Sequence, residues 1–92
     1  MTEAELRKEV VTMAHARRWL VFSLPIAKTR RPVKDASGYP DLTLARDGRV
    51  LWLELKQEDA NLRTEQMQWL HHLPTMLVIR PSDLPSLERV LA

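Results

Sequence analysis

One stretch limits the fold more than any other. Residues 49–56, Arg-Val-Leu-Trp-Leu-Glu-Leu-Lys, follow the triplet Arg46-Asp47-Gly48. Alternate residues of a strand share a face, so Val50, Trp52, Glu54 and Lys56 lie on one side and Leu51, Leu53 and Leu55 on the other. Apolar residues on both sides predict a strand covered on both faces, as in a layered α/β domain. Arg46-Asp47-Gly48 predicts a tight turn that pairs this strand with a preceding one over Asp41–Ala45. Glu54 and Lys56 conflict with the pattern. An ionised carboxylate on a covered face costs several kcal/mol unless it is paired or binds a cation. An ion pair with Lys56 at the end of the strand is the structural alternative.

The rest of the chain supplies the covers. Residues 3–18 predict an amphipathic helix, with Leu6, Val10, Met13, Ala14 and Arg17 on one face and Thr2 as N-cap. Trp19–Leu24 predicts a strand. A long irregular segment, 25–40, contains Pro25, Pro32, Gly38 and Pro40; segments of that length within a domain are often functional. A second helix is expected over Thr64–Leu73 with Thr64 as its N-cap, then a buried strand over Met76–Arg80. Pro81-Ser82-Asp83 opens a closing helix through Leu91. The order is α-β-β-β-α-β-α, and 92 residues predict one domain, 1–92.

Composition excludes several classes. There is no cysteine, hence no disulfide and no thiolate metal site. No apolar run is long enough to span a bilayer, and MTEAELRKEV does not resemble a signal peptide, so a cytoplasmic protein without membrane contact is expected. The net charge of +2 does not by itself mark a nucleic-acid binder. Lys28, Arg30, Arg31 and Lys34, however, crowd one short segment. Such a cluster suits phosphate contacts, or equally a solvated loop.

The hairpin brings Asp41 near Glu54. Two carboxylates held together raise a pKa or recruit a hard cation. Oxygen donors without clustered histidine suit Mg²⁺ or Mn²⁺. Lys56, on the same face as Glu54, is placed to orient or deprotonate a water beside such a cation, which is the chemistry of phosphodiester hydrolysis. Glu3 falls within the apolar stripe of the first helix and is a further candidate carboxylate; an acid at a helix N-terminus is its other reading. Gln66 shares a face with Leu70 and Leu73. It is a candidate donor to Lys56, a bound water or a phosphate, or it is satisfied by local backbone. His15, His71 and His72 have no ligand spacing. Trp19, Trp52 and Trp69 are expected in the core or an interface. Tyr39 either stacks on a base or packs internally.

Pro40-Asp41 followed by Glu54-Leu55-Lys56 resembles the PD-(D/E)XK nuclease signature. Gly38-Tyr39-Pro40-Asp41, Leu62-Arg63-Thr64-Glu65-Gln66 with Trp69-Leu70, the opening Thr2-Glu3 with Leu6 and Val10, and Arg80-Pro81-Ser82-Asp83-Leu84 resemble the stand-alone VRR-NUC domain of phage-type genomes. The resemblance implies a restriction-endonuclease-like fold, a mixed sheet flanked by helices. It implies Asp41, Glu54 and the backbone carbonyl of Leu55 as ligands of Mg²⁺ or Mn²⁺, with Lys56 acting on the attacking water. Glu3 matches the first-helix acid and Gln66 the glutamine after the strand. It further implies a homodimer that cuts structured or branched DNA, similar to Holliday-junction resolvases, in the cytoplasm, or in that of the host for a phage protein. Arg18 and Ala60 stand where the family often has glycine, and the connection around Pro74 is shorter than usual. The rivals are a nucleic-acid-binding module without turnover and an interaction domain of a larger assembly.

Overall fold

In the computed structural model, which describes residues 1–24 and 35–92, the chain forms helix α1 (Glu3–Ala16), strands β1 (Leu20–Ser23), β2 (Leu42–Arg46) and β3 (Arg49–Leu55), helix α2 (Thr64–His72), strand β4 (Met76–Ile79) and helix α3 (Leu84–Leu91). The element order is as expected from the sequence. The basic cluster Lys28, Arg30, Arg31 and Lys34, with most of segment 25–40, lies outside the described residues.

Local chemistry sets the helix ends. Thr2 caps α1 through a reciprocal pair: its hydroxyl accepts from Glu5 N at 3.1 Å, and Glu5 Oε1 accepts from Thr2 N at 2.8 Å. Leu6, Val10 and Ala14 form its buried stripe, whereas Arg17 is exposed and caps the helix two residues earlier than the periodicity predicts. Arg18 takes the left-handed conformation, φ 64°, that glycine usually supplies. Trp19 N then reaches back to Ala14 O at 3.0 Å and closes the helix. Thr64 is not the N-cap of α2. That position falls to Arg63, whose backbone N–H is capped by the Gln66 side chain at 2.8 Å. Leu73 leaves the helix as its C-cap, and Pro81–Asp83 make a separate 3-10 turn before α3.

The four strands form one mixed sheet in the order β1-β2-β3-β4. β1, β2 and β3 run antiparallel, and β4 lies parallel to β3 through the α2 crossover. Asp47 (φ 50°) and Gly48 (φ 78°) make the two-residue turn between β2 and β3; successive positive φ values match the right-handed twist of a hairpin.

The two faces are covered unequally. On one, Leu42, Leu44, Leu51, Leu53, Leu55 and Ile79 pack against Leu6, Val10 and Ala14 of α1 and Leu87 and Leu91 of α3. On the other, α2 packs over β4, and Gln66 is its only buried residue. Leu70, expected beside Gln66, is exposed. Towards β1 this second face has no cover among the described residues: Leu20 is 75% exposed and Phe22 58%. No helix among the described residues is long and apolar enough to cross a membrane.

Candidate active site

The register of the hairpin pairs Leu42 with Leu53. Continued by one step, it sets Asp41 opposite Glu54; the sequence predicted that the two lie near each other, with Arg46 in the turn rather than in β2. Asp41 precedes β2 rather than starting it, and Lys56 follows β3 rather than ending it. Both sites are therefore strand ends, where side chains escape the ladder. Asp41 Oδ2 accepts from Leu55 N at 2.8 Å, which bolts the acid to the end of β3. A strand residue sends its N–H and C=O to the same side, so the Leu55 carbonyl is also on the Asp41 side.

Glu54 is buried, at 3% exposure. Its Oε2 accepts from Gln66 Nε2 at 3.1 Å. Gln66 is oriented by its other end, because its Oε1 caps Arg63 N. Both readings of this residue hold at once: one atom satisfies local backbone, and the other faces the site. Glu54 Oε1 receives no hydrogen bond from any described residue. Burial pushes the Glu54 carboxyl up to about 8; the nearby Asp41 charge adds to the rise, Lys56 opposes it, and Glu3 adds a little.

Glu3 acts only through its charge. Its side chain is exposed at the start of α1 and does not join the two acids. Among the described residues no three acidic or histidine side chains gather into a group able to hold a metal. Lys56 is half-buried, close enough to favour the charged form of Glu54. His15, His71 and His72 are exposed and away from the site.

The loop before Asp41 is held by a close approach. Gly38 has φ 77°, and a Cβ there would lie 2.4 Å from the Glu65 carbonyl carbon and 2.7 Å from Gln66 N. Only glycine lets this loop lie against the start of α2. Tyr39 packs internally: its hydroxyl accepts from Trp52 Nε1 at 3.0 Å, and its ring meets Trp69 edge-on at 5.0 Å. Trp69 in turn donates to Ser37 O at 3.0 Å. The loop on the far side of β3 is tied by Arg80, whose Nη1 donates to the carbonyls of Gln57, Glu58 and Ala60.

Sequence reasoning missed Arg7. Its Nη2 donates to Asp41 Oδ1 at 3.3 Å and its Nη1 to Ser23 Oγ, with the side chain 16% exposed. The available signal was a cation one turn after Glu3, beside the buried stripe. Gly38 was visible only as part of a motif, without its reason.

Asp41 and Glu54 are the described residues that could hold a divalent cation. Both are hard oxygen donors, and Glu54 Oε1 is a buried acceptor without a donor among the described residues. With two carboxylates only, main-chain oxygen, water and substrate would complete the shell, as Mg²⁺ commonly requires. Comparisons with protein-family models, with curated proteins and with solved structures return no match to this chain.

Proposed function

We propose that this chain is a divalent-cation-dependent deoxyribonuclease with a restriction-endonuclease-like PD-(D/E)XK fold of the VRR-NUC type. One observation carries the reading: Asp41 and Glu54 face each other across two strand ends, and Glu54 Oε1 is buried without a donor among the described residues. A buried acid beside a second acid is a liability for stability. The Asp41 charge beside it also repels DNA phosphates, so a pure binding module gains nothing from the pair. The α-β-β-β-α-β order, with an acid before the second strand and Glu-x-Lys at the end of the third, agrees with the same reading.

In this reading Asp41, Glu54 and the Leu55 carbonyl hold Mg²⁺ or Mn²⁺. The cation would supply charge neutralisation and water activation at a phosphodiester. The protein's own groups do the positioning. Leu55 N fixes Asp41, Gln66 fixes Glu54, and Arg63 N fixes Gln66. Lys56 stands two residues past Glu54 on the same face. It orients the attacking water and takes part in moving its proton. Glu3 contributes negative potential, and the cluster Lys28, Arg30, Arg31 and Lys34 is assigned to the DNA backbone. The substrate is branched or structured DNA, cut by a homodimer in the cytoplasm of the cell or phage host.

The test is cleavage of a labelled four-way junction, with single-stranded and linear duplex controls, in Mg²⁺, Mn²⁺ or EDTA. Cutting that needs metal and is lost in Lys56→Ala supports the proposal. DNA retained without cutting in any metal would reassign the chain as a binding module.

A further inference from the structure

Arg7 connects three elements. It projects from α1 next to Leu6, donates to Ser23 Oγ on edge strand β1, and donates to Asp41 Oδ1 at 3.3 Å ahead of β2. The guanidinium and the carboxylate are both largely shielded, at 16% and 21% exposure. Shielded charges interact more strongly than surface ones. Both oxygens of Asp41 are thus engaged, Oδ2 by Leu55 N and Oδ1 by Arg7. Of the four oxygens of Asp41 and Glu54, Glu54 Oε1 is the one without a donor among the described residues.

We infer that Arg7 is the resident counter-cation of the site, and that Arg7 and a divalent cation compete for Asp41. The inference rests on the cation-binding reading above. The argument is one of charge and geometry. A cation ligated by Asp41 would share that carboxylate with the guanidinium, and like charges in a shielded site repel strongly. Lys56 already contributes a second positive charge nearby. Arg7 must therefore give up Asp41 Oδ1, or bind it more weakly, when the metal arrives. Its second anchor, Ser23, retains it at the rim of the site. Arg7 is a positioning residue in this scheme: it holds Asp41 in place in the metal-free protein and sets the affinity for metal.

A purely structural salt bridge makes the opposite prediction. Removing it would loosen Asp41 and weaken metal binding. Competition predicts that neutralising Arg7 tightens metal binding while lowering the stability of the metal-free protein.

The experiment is a calorimetric titration of Mn²⁺ alone, without DNA, into wild type, Arg7→Gln, Arg7→Lys and Ser23→Ala. Thermal melts in EDTA and in saturating Mn²⁺ accompany it. Arg7→Gln is expected to bind Mn²⁺ at least about fivefold tighter than wild type, within the usual range of site–site coupling. Arg7→Lys is expected near wild type, and Ser23→Ala slightly tighter because it frees Arg7 without touching Asp41. Arg7→Gln should melt lower in EDTA and gain more from Mn²⁺ than wild type does. Equal or weaker binding by Arg7→Gln, with wild type binding Mn²⁺, overturns the competition alone. Absence of Mn²⁺ binding in wild type and all variants overturns both this inference and the cation site. Should Arg7→Gln fail to fold, Ser23→Ala decides: binding no tighter than wild type overturns the competition.

Discussion

The two ends of β2 carry arginines and charges in opposite arrangements. At its C-terminal end, Arg46 donates to the carbonyls of Arg17, at 2.9 Å, and Leu91, at 2.8 Å, and to the main-chain oxygen of Ala92, at 3.1 Å. Its guanidinium lies 4.5 Å from the centre of the Trp19 ring, and Trp19 donates to Leu91 O at 3.1 Å. A cation meets the negative ends of α1 and α3, and orphan helix carbonyls are satisfied. Just before its N-terminal end, Asp41 faces Glu54, and burial holds Glu54 in its neutral form to about pH 8. One end lowers the energy of the fold; the other stores a cost that the fold does not need. Stored cost of this kind is expected where a site must receive something from outside.

The sharpest way to break this contrast is Glu54→Gln. The variant should lose metal-dependent cleavage by at least about 100-fold and yet melt at or above the wild-type temperature at pH 8. Lower stability together with retained cutting would invert the assignment of the two ends.

Arg46→Ala tests the other end. It strands several carbonyls and removes the ring contact, so denaturant unfolding should show a loss of about 3 kcal/mol. Mn²⁺ affinity should be unchanged. A loss under about 1 kcal/mol would mean that the Arg46 end contributes little.

The pH dependence follows from Glu54. The unfolded chain releases this proton near 4.5, the folded chain near about 8. Between these values the folded state binds more protons, so stability is full below 4.5 and falls as pH rises through 8. Melting in EDTA from pH 5 to 8.5 should show a decline worth on the order of 2 kcal/mol, flattened in Glu54→Gln. An unchanged slope in that variant would assign the decline to other groups.

Arg18→Gly should give the smallest effect. Relieving a left-handed non-glycine residue at the end of α1 should add about 1 kcal/mol, read as a rise in denaturant midpoint without a change at the site.

Much of the fold was legible because its causes are local. Asp47-Gly48 encodes a hairpin turn, alternation encodes β3, and Thr2 with Glu5 encodes the start of α1. The approach of Asp41 to Glu54 was readable as well, since a tight turn folds one strand back on the other; the register was not, because Arg46, read as part of the turn, ends β2 and pairs with Arg49. Element ends slipped by a residue or two where side chains compete. Gln66 moved the α2 cap from Thr64 to Arg63, and Arg17 ended the predicted helix early. Tyr39 had two readings by pattern, and its contacts with Trp52 and Trp69 show internal packing.

The sequence alone determined which elements form, in what order, and that two acids and a lysine lie at one end of a hairpin. Only the tertiary structure decided that Arg7 engages Asp41, that Gln66 faces Glu54, that Gly38 lies against α2, and that Leu20 and Phe22 of β1 are exposed. Those facts depend on distances between remote residues. They are set by strand order and by how α1 and α2 settle on opposite faces, and no local propensity records them.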